Sequence, residues 1–139
     1  HENYNRQHND IRIENGIKYG DVLSGVNFDY AAKLTAVNAI SLATLASSPR
    51  PPKNIKIGGI VEPSVKFKWE HPDDKSIKGY KIYWRETTSS TWDNSRLIDK
   101  VDNYTLEGIV IDNFIFGIST VNKKGFESLV SFPQGTFRD

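Results

Sequence analysis

Residues 78–86 read Lys78-Gly79-Tyr80-Lys81-Ile82-Tyr83-Trp84-Arg85-Glu86. Tyr80, Ile82 and Trp84 alternate with Lys81, Tyr83 and Arg85, the period of two that sends one set of side chains to each face of a strand. Aromatic and β-branched residues of this kind suit a half-buried pleated surface. Upstream, Val65, Phe67 and Trp69 alternate with Lys66, Lys68 and Glu70. Downstream, Phe114, Phe116, Ile118 and Thr120 repeat the pattern. Three such runs separated by turn-rich segments predict a β-sandwich.

Shorter runs fill in around them. Asn54–Ile57, Leu97–Val101, Tyr104–Leu106 and Glu127–Phe132 are read as further strands, Thr87–Asn94 as a hydrophilic connection and Lys123-Lys124-Gly125 as a turn. Short strands at this spacing after Pro51 suit an immunoglobulin-like architecture.

Before Pro51 the pattern changes. Asn27–Ala46 holds neither Gly nor Pro and is rich in Ala and Leu, which favours a helix. Tyr30, Leu34, Val37, Ser41 and Leu45 share one helical face, widened by Ala31, Asn38 and Leu42. Asn27 or Asp29 can cap its start, and the segment Ser47-Ser48-Pro49-Arg50-Pro51-Pro52 ends it as a stiff linker. A single amphipathic helix gains most of its stability from what it packs against. The 28–46 helix is therefore expected to dock through Tyr30, Leu34, Val37 and Leu45 on the sandwich, on the rest of a larger domain, or on a second copy by self-association. Earlier still, Ile11–Tyr19 carries Asn15-Gly16 between two short runs, the residues of a type I′ hairpin turn.

Composition narrows the function. With 18 basic and 17 acidic side chains the formal charge is +1, so no basic excess is available to hold a phosphate backbone, and nucleic acid is not an expected partner. No apolar run is long enough for a transmembrane segment, and no signal peptide is evident. The absence of Cys excludes disulfides, thiol catalysis and cysteine-ligated zinc. The chain begins at His1 and has no Met, which suggests a piece of a longer product.

Pro51-Pro52, Trp69, Tyr80, Leu106 and Val121-Asn122-Lys123-Lys124-Gly125-Phe126-Glu127-Ser128 together resemble a fibronectin type III domain. In that family a Trp on the second strand and a Tyr on the third fill the core. Asn122, Gly125 and Ser128 match its A-x-N-x-x-G-x-x-S turn, with Thr120 where Ala is common. Phe114 stands where the family usually places a Tyr, so the ring is kept and its hydroxyl bond is lost.

Asn27-Phe28-Asp29-Tyr30-Ala31-Ala32-Lys33-Leu34-Thr35-Ala36-Val37-Asn38, followed by Leu42-Ala43-Thr44-Leu45-Ala46, resembles the last helix of the co-catalytic zinc aminopeptidases. The family's last zinc ligand is a His in a loop upstream of that helix, and His8 matches it. Glu2–His8 with Gly20-Asp21 resembles bacterial members that carry a C-terminal fibronectin type III domain. The family's H-T-x-x-D is here His8-Asn9-Asp10, so the Thr is missing and the acid comes early.

The resemblance implies a C-terminal portion of a secreted or periplasmic bacterial zinc aminopeptidase. Residues 1–48 would be a remnant of an α/β catalytic domain, 49–52 a linker and 53–139 the sandwich. The parent would bind two zinc ions that activate a water against the carbonyl of a peptide substrate, and its partners would be that peptide and the rest of the catalytic domain. His8 is the candidate metal ligand; no catalytic residue is assigned, and this segment by itself is expected to be inert and zinc-free. The alternative is a stand-alone fibronectin type III module binding protein or carbohydrate. Other candidates read plainly: His1 as terminal, His71 as a turn residue before Pro72, Asp73-Asp74 as a solvated acidic pair rather than a calcium site, Tyr83 as a surface aromatic on the outer face, and Trp92 as a cover for a sheet edge rather than a sugar platform.

Overall fold

The computed structural model describes residues 6–59 and 62–138. His1 and the Glu2–Asn5 part of the upstream resemblance lie outside them. The chain divides into two compact units, His1–Ala43 and Thr44–Asp139.

In the first unit, β1 (Arg12–Glu14) pairs antiparallel with β2 (Ile17–Tyr19), and Glu14 faces Ile17 across the turn. Asn15 and Gly16 take φ of 51° and 77°, the two positive values a type I′ turn requires. The predicted hairpin is present. Helix α1 (Phe28–Ser47) follows, one residue longer than its expected 28–46 span. Asn27 is the cap: its Oδ1 accepts the Tyr30 amide at 3.0 Å and its carbonyl accepts the Ala31 amide at 3.0 Å. Asp29 in the first turn adds a favourable charge at the positive end of the helix dipole.

The side chains through which α1 is expected to dock are open in this chain. No residue of the helix is buried, and Tyr30, Leu34, Val37 and Leu45 are each at least half exposed. Phe28, Ile40 and Leu42 are exposed as well. Apolar groups therefore extend well beyond the one stripe that the spacing picked out.

The second unit is the sandwich. One sheet is ordered β7-β4-β3-β9, built from β3 (Lys53–Gly58), β4 (Ser64–Glu70), β7 (Asn103–Glu107) and β9 (Gly135–Thr136). The other is ordered β6-β5-β8, from β5 (Ile77–Glu86), β6 (Asn94–Asp99) and β8 (Phe114–Asn122). Alternation delivers the core as read: Val65, Phe67 and Trp69 face Tyr80, Ile82, Phe116 and Ile118, all nearly inaccessible. Edge-to-face ring pairs join the sheets, Phe67 to Phe116 at 5.5 Å and Trp69 to Tyr80 at 5.1 Å between centroids. Phe114 keeps the ring packing of the position it fills, 6.3 Å from Phe116.

The end of the chain departs from the expected strand. Glu127–Phe132 is expected to close the sandwich as a strand, and instead it meets β8 through isolated bridges, Val121 to Glu127 and Ile118 to Ser131, with the Ser128 amide donating to the Thr120 carbonyl at 2.9 Å between them. The ladder between them is interrupted because the Thr120 amide is met by the Ser128 hydroxyl at 2.9 Å. Regular pairing resumes after Pro133, where β9 runs parallel to β3. Strand β6 also begins earlier than expected, at Asn94.

Asn122 holds the turn after β8. Its Oδ1 accepts the amides of Lys124 and Phe126, and its Nδ2 donates to the Ser47 carbonyl at 3.1 Å. That last bond satisfies one of the carbonyls left open at the end of α1.

Candidate functional site

His8 lies on a turn ahead of the hairpin and is exposed. Its φ is 55°, unusual for a residue with a side chain. The His8 amide donates to Asp21 Oδ2 at 3.0 Å, and the Asp21 amide donates back to the Asn9 carbonyl at 3.1 Å. An exposed imidazole on a pinned turn fits zinc in kind, since either ring nitrogen can bind the metal. A catalytic zinc takes about three protein ligands. Among the described residues no three His, Asp, Glu or Cys come together, so these residues do not complete a shell.

Asp74 builds a turn. Its Oδ1 accepts the Ser76 amide at 2.7 Å, and the hydrogen bonds from Ser76 hold its carboxyl below the usual range.

His71 does more than the sequence suggested. Its Nδ1 is 2.5 Å from the hydroxyl of Tyr80, which is fully buried. A buried hydroxyl needs a partner, and the residue one step past β4 supplies it. The signal available in the sequence was a tyrosine at a core position.

The outer face of the β6-β5-β8 sheet carries the other cluster. Trp92 lies between Tyr83 and Phe132, 5.6 and 5.7 Å between centroids, with the Arg85 guanidinium 5.7 Å from its ring. It comes this close because β8 has Gly117 beneath it. A Cβ there would meet Val130 at 2.4 Å and the Trp92 ring at 3.1 Å. Trp92 therefore covers the face of the sheet and not its edge. Beside it, Tyr83 and Ser119 donate hydroxyl hydrogen bonds to Glu127, and Lys81 stands 3.6 Å from the same carboxylate. The Lys81 ammonium also lies 4.8 Å from the centre of the Tyr83 ring.

Burial pushes the hydroxyls of Tyr80 and Tyr83 above 10.0; the nearby Trp69 indole partly offsets this for Tyr80, and the bond to Glu127 adds to it for Tyr83. Lys81 is raised too, chiefly by its bond to Tyr83. Groups raised in the folded state stabilise it fully below their unfolded values and lose that contribution as pH climbs through the folded ones. Stability to denaturant should therefore hold to about pH 9 and fall above about pH 10. Tyr80→Phe and Tyr83→Phe should each flatten the decline; a decline of equal slope in both variants would refute this account.

Residues 50–133 match the fibronectin type III domain family, and the chain belongs to that family. Two solved structures with the same fold are a redesigned β-sandwich protein and the fn3 domain of human collagen alpha-1(XX). They share 18% and 16% identity with the chain, each with a TM-score of 0.50; the first covers 66% of this chain and 95% of its own, the second 67% and 90%. The likeness to curated proteins extends beyond the sandwich. Probable zinc metalloproteases of the fungi Pyrenophora tritici-repentis and Leptosphaeria maculans are 37% and 35% identical over 95% of the chain. That of Phaeosphaeria nodorum is 33% identical over 99%. The chain spans only 27%, 31% and 29% of these relatives' lengths. They are fungal, and the bacterial source expected from the sequence draws no support from them. The coarse reading they support is a metalloprotease-associated fibronectin type III module.

Proposed function

We propose that the chain is the C-terminal portion of a secreted zinc-dependent aminopeptidase. In this reading residues 1–48 belong to the catalytic domain, 49–52 are a linker and 53–139 form an accessory module. The observation that carries it is the extent of the likeness: 95% of the chain, hairpin and helix as well as sandwich, follows proteins named for zinc proteolysis. The exposed apolar side chains of α1 support it, because a larger domain would cover them. His8 serves as one zinc ligand, and the other ligands come from outside the described residues. Bound zinc would polarise a peptide carbonyl and lower the pKa of water. Within this chain the contribution is to hold one imidazole in place.

The test uses the full-length gene product. Aminoacyl p-nitroanilides should be hydrolysed, N-acetylated equivalents should not, and a chelator or His8→Ala should abolish the activity. The protein should be recovered from the culture medium of its source. Cleavage of blocked peptides would keep the metalloprotease class and overturn the aminopeptidase assignment. Full activity after zinc removal would overturn both.

A stand-alone binding module is the second reading. The row Tyr83, Trp92, Phe132 favours it, with Phe132 52% exposed at its end. Oligosaccharide or peptide binding that is lost in Phe132→Ala, with no peptidase activity in the full-length product, would select it.

A further inference from the structure

His8 and Asp21 are thirteen residues apart in sequence, and a short hairpin brings them together. The His8 backbone is left-handed, a conformation that a residue with a Cβ keeps only when its surroundings over-determine it. Such outliers gather at functional positions, and the inference runs from the outlier to the function.

What holds His8 there is specific. Its own amide donates to the Asp21 carboxylate at 3.0 Å. The Asp21 amide returns a bond to the Asn9 carbonyl at 3.1 Å, and the Asn9 side chain ties back to the Gln7 carbonyl at 2.7 Å. The two segments touch through backbone: Gly20 has φ 96°, and a Cβ on it would stand 2.5 Å from the Asp10 carbonyl oxygen. Pairing of Arg12 with Tyr19 brings both segments to the open end of the hairpin. Arg6 fastens the outer side, donating to the Lys18 carbonyl at 3.3 Å with its guanidinium 5.7 Å from the Tyr19 ring. Asp21 spends an oxygen on the amide of the strained histidine.

We propose that Asp21 is a positioning residue for His8, its carboxylate fixing the left-handed turn that presents the imidazole to zinc. The inference rests on the reading of His8 as a ligand. Outer partners of metal-binding histidines typically change metal affinity by about ten- to a hundredfold, and Asp21 acts in this way through the backbone of the ligand.

The experiment measures zinc retention by the full-length protein in competition with a chromogenic chelator. Asp21→Ala should weaken retention by about ten- to a hundredfold. Asp21→Asn keeps a carbonyl acceptor in the same place and should stay close to wild type. His8→Ala should weaken retention more than Asp21→Ala does, and adding Asp21→Ala to it should weaken the remaining retention no further. Thermal unfolding of the zinc-free protein should be the same for wild type and Asp21→Ala. Wild-type retention in Asp21→Ala, beside a loss in His8→Ala, overturns the positioning role and leaves the ligand in place. A further loss from Asp21→Ala in the His8→Ala background shows a general structural role and also overturns it. Wild-type retention in His8→Ala overturns the ligand reading and the positioning role together.

Discussion

Trp69→Ala is expected to lower the unfolding free energy of the sandwich by about 3–5 kcal/mol, in the range of large-to-small changes in cores. Trp69 is only 4% exposed and sits edge-on to Tyr80 across the two sheets. Removing its ring strips contacts from both layers at once. Its Nε1 meets no acceptor at good hydrogen-bond geometry among the described residues and at most leans on the Tyr80 hydroxyl, so alanine loses chiefly packing. Trp69→Phe keeps most of the ring and removes that unpaired donor, so it should cost clearly less than alanine. Urea titrations of the three proteins would decide it. A loss below about 1 kcal/mol for alanine would mean that the core lies elsewhere.

The core was legible because the strands obey a period of two over long stretches. In Val65–Glu70 every second residue is apolar and every other one charged, and the structure buries that apolar set. The helix and the hairpin were legible for equally local reasons, Asn27 as a cap and Asn15-Gly16 as a turn. The end of the chain was not. Glu127–Phe132 has strand-like composition, but a side-chain hydroxyl from Ser128 replaces part of its ladder, and no periodicity announces such a substitution. Pro133 marked the break, and the return of the chain to β3 as a parallel neighbour is a long-range event.

The candidate site divides in the same way. His8 could be named only from a resemblance, because a single imidazole in a polar loop carries no spacing to read. Its left-handed backbone and its bond to Asp21 became visible only in three dimensions, since the two residues meet across a hairpin. Gly20 is the one local trace, a glycine where a Cβ would collide with Asp10. On the outer face, the sequence shows Trp92 as one aromatic in a polar loop. Its contact with Tyr83 and Phe132 depends on Gly117, whose purpose is invisible until β8 lies beneath the ring.

Leu34→Asp and Leu42→Asp are each expected to destabilise the longer protein by at least about 3 kcal/mol, because burial of roughly 1.5–3 kcal/mol per leucine is lost and an unpaired charge takes its place. Both leucines are at least half exposed on α1 as described. At 100° per residue they lie about 80° apart around the helix, and Phe28 and Ile40 extend the apolar surface in opposite directions beyond them. A helix so broadly apolar belongs inside a larger body, not on the surface of one. The two substitutions therefore test two sides of the same helix. Hydrogen exchange gives the companion measurement: amides of α1 should exchange slowly in the longer protein and fast in residues 1–139 alone, unless that shorter chain dimerises. Light scattering would report such a dimer, and Leu34→Asp should dissociate it. If the shorter chain is monomeric with α1 protected, the helix needs no outside partner. If both aspartate variants of the longer protein match wild type, α1 is a solvated arm and the larger domain proposed for residues 1–48 does not contain it.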